Sequence, residues 1–113
     1  DKAALRAALD GVVAQPTWQL CETLADADVF LAGRPDGCVV KPVGRQGSIG
    51  VHLVTSQAGL REAWRDLGAL TERARANASP EDRVLVEGRL SGDEVSVESV
   101  VCDGRVLFTN VTA

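Results

Sequence analysis

The spacing of apolar and polar positions changes several times along the chain, and each change marks an element. From Asp1 to Leu9 the helix formers Ala3, Ala4, Leu5, Ala7, Ala8 and Leu9 predict a short helix, with Asp1 as its cap and Gly11 as its stop. Residues Val12 to Leu20 read as extended and are broken by Pro16. Cys21 to Ala32 suits a second short helix with Leu24, Ala27 and Leu31 on one face. Gly33-Arg-Pro-Asp-Gly37 is a cluster of turn formers, after which Cys38-Val39-Val40-Lys41-Pro42 is a short apolar strand ended by proline. A glycine-rich stretch, Gly44 to Gly50, separates it from a returning strand at Val51–Thr55, so the pair predicts a hairpin with a long, mobile tip.

The longest helical signal runs from Ser56 to Asn77. Ser56 is placed to cap it, and Leu60, Ala63, Trp64, Leu67, Leu70 and Ala74 share one stripe. Arg61, Glu62, Arg65, Asp66, Glu72 and Arg73 fill the rest, so this helix should cover a sheet on one side only, and Ser79-Pro80 should end it. Three strands follow, at Arg83–Glu87, Asp93–Val101 and Arg105–Val111. The Asp103-Gly104 pair is a strong hairpin signal between the last two. Three helices and about six strands, joined mainly by hairpins, make the fold class α+β rather than a doubly wound sheet.

Composition narrows the partners. The formal charge of −4 argues against a broad surface for nucleic acid or anionic lipid. No apolar run approaches the roughly 20 residues that cross a bilayer. Cys21, Cys38 and Cys102 are odd in number and widely spaced, which fits neither a disulfide framework nor a metal knuckle. The simpler expectation is a reducing cytoplasm. The absence of any methionine, and an end at Ala113 straight after an apolar strand, lead us to expect a segment of a larger protein. In that case the last two strands would be left with an uncovered apolar face, and a homodimer or strand exchange through them is expected.

Two constellations carry candidate chemistry. In the first, glycines at 44, 47 and 50 let backbone N–H groups turn inward toward an oxyanion, with Ser48 adding a hydroxyl. Lys41 stands on the strand just before, able to extend a compact ammonium to the same group. The lysine precedes the glycines and a strand follows them, so this is neither a P-loop nor a dinucleotide fingerprint. The same glycines would also serve a hairpin loop that needs them for conformation alone. In the second, Val84-Leu85-Val86-Glu87-Gly88-Arg89-Leu90-Ser91-Gly92-Asp93-Glu94 is an apolar strand leading into a turn, with Glu87 and Glu94 seven residues apart. Such a hinge can offer backbone groups to a base edge, and Glu94 could accept ribose hydroxyls; solvated glutamates at a strand end would look the same. Of the 12 basic residues only Lys2 and Lys41 are lysine, which in an arginine-rich chain singles them out. His52 reads as a solvated strand position, Trp18 and Trp64 as core or interface anchors, and Cys38 as a small buried apolar residue.

In this order, with Lys41 and Glu87 46 positions apart, the patterns resemble the ATP-grasp superfamily. The likeness is greatest to its carboxylate–amine ligases of the L-amino-acid ligase kind. It rests on Asp1-Lys2 heading a helix, Val39-Val40-Lys41-Pro42-Val43, Gly47-Ser48-Ile49-Gly50-Val51, Leu85-Val86-Glu87 and Gly92-Asp93-Glu94-Val95-Ser96-Val97-Glu98. The resemblance implies a central segment of such an enzyme: residues 1–11 leading into a lid, a lid subdomain over 12–90 with its phosphate flap at 43–51, and the start of the next subdomain at 91–113. It implies that ATP phosphates meet Lys2, Lys41 and the flap through Gly44, Gln46, Gly47, Ser48 and Gly50. Glu87, Gly88, Arg89 and Leu90 would then hold the adenine and Glu94 the ribose. It further implies Mg²⁺, on ligands beyond Ala113, and a small carboxylate or amino acid as second partner. The implied reaction joins a carboxylate to an amine through an acyl phosphate, releasing ADP and phosphate. The competing expectations are a nucleotide-binding or regulatory module without catalysis, and an inactive structural piece. Two departures stand out: Ile49 where the family often has arginine, and Gly88 where a second glutamate is frequent.

Overall fold

The computed structural model describes residues 1–45, 47–74 and 83–113, with the backbone only at 71–74. Three helices and six strands occur among them: α1 (Lys2–Ala8), β1 (Trp18–Cys21), α2 (Leu24–Ala32), β2 (Cys38–Pro42), β3 (His52–Val54), α3 (Gln57–Ala74), β4 (Val84–Gly88), β5 (Ser96–Cys102) and β6 (Arg105–Thr112). The α+β class read from the sequence is the one observed. Gln46, the 75–77 end of the long helical signal, and Ser79-Pro80 lie outside the described residues.

β1, β4, β2 and β3 form an antiparallel sheet in that spatial order. β2 and β3 are the expected hairpin, whereas β4 inserts between β1 and β2, which run parallel to each other. Strand alternation then sorts the side chains to two faces. One face presents Cys21, Cys38, Val40, Val54, Val84 and Val86 to Ala27, Phe30 and Leu31 of α2 and to Leu60, Ala63 and Leu67 of α3. Trp64 and Leu70 pack at its margin, as does Leu24, so the stripe read on α3 is the one that is buried; the Ala74 side chain lies outside the description. Completely buried side chains such as Leu60 each contribute roughly 1.5–3 kcal/mol by leaving water. The opposite face carries Trp18, Leu20, Val43 and Leu85, covered in part by Ala3 of α1. No helix of the described residues is long and apolar enough to cross a membrane.

Caps set the helix boundaries. The Asp1 carboxylate accepts from the Ala3 and Ala4 amides at 2.8 and 3.0 Å, fulfilling its expected role. Ser56 likewise accepts from Gly59 N–H at 3.1 Å. The second helix begins at Leu24 rather than Cys21, because Thr23 and Asp26 close a reciprocal capping box while Cys21 pairs with Val84 in the sheet. Thr23→Ala should therefore destabilise the fold by about 1 kcal/mol. Thermal unfolding would show this as a drop of roughly 4 °C. The extended run read at 12–20 shrinks to β1, since the Val12 and Val13 amides turn back to Leu9 O.

β5 and β6 form a separate two-stranded hairpin, turned at Asp103-Gly104 with both φ angles positive (48° and 72°). The strand expected from Asp93 starts only at Ser96. Every residue of both strands is exposed, so neither strand separates a buried from a solvated face. A register shift between Val100 and Val101 adds Leu107 to the facing strand and reverses the alternation at that point.

Candidate functional site

On the sheet face that α2 and α3 leave free, three cations gather around one carboxylate. Lys41 on β2 and Glu87 on β4 share that face because their cross-strand partners are Leu85 and Val39, placing the two on a diagonal. Glu87 is only 4% exposed, and it is the one buried charged residue among those described. Its Oε2 lies 2.5 Å from Lys41 Nζ. Its Oε1 lies 2.6 Å from Arg6 Nε. Arg6 sits on α1 one turn after Lys2, and its Nη1 also donates to Gln15 Oε1 at 3.3 Å. Burial pushes the Glu87 carboxyl upward, yet the hydrogen bonds and charges of Arg6 and Lys41 outweigh it and hold the pKa below 4.5.

Lys2 completes the cluster from the start of α1. Its backbone N–H donates to Val43 O at 3.1 Å. Its ammonium donates to Pro42 O at 3.2 Å, to Val43 O at 3.5 Å and to Arg45 O. An ammonium has three protons, and here all three are directed at the chain as it leaves β2 for the glycine loop. Lys2 thus fastens the root of that loop. Burial lowers its pKa from 10.5, the neighbouring Lys41 lowers it further, and Glu87 opposes both. Three cations against a single carboxylate leave the cluster net positive within a chain whose formal charge is −4. A group of fixed cations with one shared counter-ion is a site prepared for an added anion.

The glycine loop rises beside this cluster. Gly44, Gly47 and Ser48 are exposed. Gly47 and Ser48 both have positive φ, 65° and 58°, which exposes successive amides at the turn. Gly50 has a different task. With φ at 75°, a Cβ there would stand 2.9 Å from Leu67 and 3.0 Å from Leu70, so glycine lets the loop's far end lie on α3. Arg45 donates from Nη2 to Leu70 O at 3.5 Å, and Ile49 is exposed.

Beyond Glu87 the chain passes Gly88 at the end of β4, then the exposed Arg89 and Leu90. The Gly88 amide donates to Thr17 O at 2.8 Å. A Cβ at Gly88 would meet Thr17 Oγ1 at 2.7 Å. Arg34 holds that hydroxyl at 2.9 Å from Nη2 while its guanidinium stacks 3.5 Å above the Phe30 ring. Thr17 and Arg34 therefore occupy the space of a side chain at 88. Glu94 is exposed, lies outside β5 and makes no ion pair among the described residues.

The structure thus brings Lys2, Lys41, Glu87 and the root of the glycine loop together and does not bring Glu94 to them. Both oxygens of Glu87 are engaged by cations and its side chain is buried. Sequence reasoning missed Arg6, although its spacing of four from Lys2 was a usable helical signal. His52 is half-buried on the α2–α3 face, less solvated than read. Cys38 is fully buried, as expected, and burial raises its thiol pKa; the same cause pushes Cys21 to about 11. No three His, Cys, Asp or Glu side chains cluster as a metal site among the described residues, so these residues do not fit a magnesium cage.

Comparison with known proteins places this geometry. A family model described as an ATP-grasp domain matches residues 35–113. The chain is 43% identical over 70 residues to D-alanine–D-alanine ligases of Anaeromyxobacter sp. (strain K) and Anaeromyxobacter dehalogenans (strain 2CP-1 / ATCC BAA-258). Each match takes in 62% of this chain and 19% of the relative, so it spans about a fifth of those ligases. With the match covering the sheet from β2 onward, the glycine loop and Glu87, the chain belongs to the ATP-grasp family.

Proposed function

We propose that this chain is the nucleotide-binding segment of an ATP-dependent carboxylate–amine ligase, and that the polyphosphate of ATP lies over Lys2, Lys41 and the glycine loop. The observation that carries the reading is the net positive cluster on the sheet face that α2 and α3 leave free, adjoining a loop with two successive positive-φ residues. Lys41 supplies a point charge for the phosphates. Lys2 adds charge and fixes the loop root, and Gly44, Gln46, Gly47, Ser48 and Gly50 line or shape the flap. Arg89, Leu90 and the backbone that follows Gly88 border the adenine, with Glu87 beneath them as the support of Lys41, and Glu94 takes the ribose.

The reaction fits this equipment. A substrate carboxylate attacks the γ-phosphorus of ATP, ADP departs, and an amine then displaces phosphate from the acyl phosphate to form an amide. No side chain need form a covalent bond; the protein positions the groups and spreads developing negative charge. A loop that closes over the phosphates also keeps water from the acyl phosphate. The relatives' printed name supports an amino acid as carboxylate and amine partner. Magnesium would arrive with ATP and be held by ligands elsewhere in the enzyme.

Calorimetric titration of the intact enzyme with magnesium–ATP tests the reading. Saturable binding that weakens at least tenfold in Lys2→Ala supports it. Equal binding by wild type and variant would remove Lys2 and the loop root from the site.

A further inference from the structure

We propose that Arg6 is the reserve counter-ion of Glu87: it keeps the carboxylate ionised when nucleotide phosphates draw Lys41 away, and so positions Lys41 without touching ATP. The inference rests on the phosphate reading of Lys41 above, and it begins from a conflict in the geometry. Lys41 Nζ is committed to Glu87 Oε2 at 2.5 Å, yet a phosphate ligand must share or surrender that bond. Were Lys41 the only partner of Glu87, its departure would strand a carboxylate that is 4% exposed. A stranded buried carboxylate takes up a proton instead of staying charged. That cost would be charged against every nucleotide bound.

Arg6 removes the cost. It approaches the other oxygen, Oε1, so the two cations do not compete for one lone pair. Its guanidinium stays charged at any working pH, and Gln15 Oε1 fixes its far end. Arg6 and Lys2 face Glu87 from α1 and Lys41 faces it from β2, while β1 offers only the non-ionising Trp18 and Leu20. Lys2 is occupied with the loop carbonyls, which leaves Arg6 as the cation able to remain on Glu87. Glu87 acts here as a switchable holder. It aims the Lys41 ammonium along the sheet face and releases it without itself becoming an unpaired charge.

The test is proton uptake on binding magnesium–ATP, measured by calorimetry of the intact enzyme in two buffers of different ionisation enthalpy. Taking the variant minus the wild type cancels the nucleotide's own ionisation. Arg6→Gln should take up a substantial fraction of one proton more than wild type near neutral pH. Its ATP affinity should accordingly fall with rising pH by up to about tenfold per unit relative to wild type. Arg6→Lys, which preserves the charge and serves even if the glutamine variant does not fold, should bind ATP within a few-fold of wild type with no extra proton. A folded Arg6→Gln whose proton uptake and pH profile match wild type overturns the proposal, as does extra uptake by Arg6→Lys. Failure of wild type to bind ATP at all is a different outcome and overturns the nucleotide reading as well.

Discussion

On the proposed ligase function, replacing Lys41 by alanine in the intact protein should lower kcat/KM by about 10²–10³-fold, the scale on which single charge-stabilising donors act in transfer reactions. The loss should fall mainly on kcat, because charge on the transferring phosphoryl oxygens spreads and grows toward the transition state. Fold stability should change far less, since Arg6 remains on Glu87 once the lysine is gone. Lys41→Arg should recover little. A planar fork is wider than an ammonium, and the native ammonium fits 2.5 Å from a buried carboxylate at a strand position that is itself half-buried. Steady-state kinetics check this, and turnover within threefold of wild type for Lys41→Ala would place the chemistry elsewhere.

Glu87→Ala should be the most damaging change to the fold itself. Removing one partner of a buried ionic group costs about 3–5 kcal/mol when the remaining charges stay dry. Here the Lys41 and Arg6 side chains keep 18% and 25% of their exposure, so water reaches them and about 2–3 kcal/mol is the better expectation. The effect carries a pH signature. The native Glu87 pKa lies below its ordinary value of 4.5, so the contribution is fully present above that pH and is lost as the pH falls toward the depressed native value. Chemical denaturation should therefore show a gap between wild type and Glu87→Ala that is constant near neutrality and narrows in acid. A gap that widens in acid would mean that the carboxyl is protonated in the native state.

The two lysines illustrate what could be read before any coordinates. Lys41 was marked by its place before the glycines and Lys2 by the family resemblance, and the fold does bring both to the same loop root. The pattern of apolar residues likewise anticipated three helices and six strands, with shifted bounds at β1, α2 and β5, because one-sided helices and two-residue alternation are local properties. What could not be read depended on tertiary neighbours. Glu87 meets Lys41 only because β4 inserts between β1 and β2, a non-sequential pairing that strand periodicity does not encode. Its burial and its two ion pairs follow from that pairing. Gly88 looked like a weak point of the hinge, yet it is required by Thr17, 71 positions earlier, which fills the space a side chain would need. The Thr23–Asp26 capping box was, by contrast, written in the sequence and simply sets a later helix start than composition suggested. For β5 and β6 the Asp103-Gly104 turn was legible because hairpin turn chemistry is local.

The most direct measurement is a crystal structure of the intact enzyme with a non-hydrolysable ATP analogue and magnesium. The account predicts the Lys41 ammonium within about 3 Å of a phosphate oxygen, the Gly44–Gly50 loop over the same phosphates, and Arg6 still on Glu87. Polyphosphate bound away from the sheet face that α2 and α3 leave free, with Lys41 still paired to Glu87 alone, would contradict it.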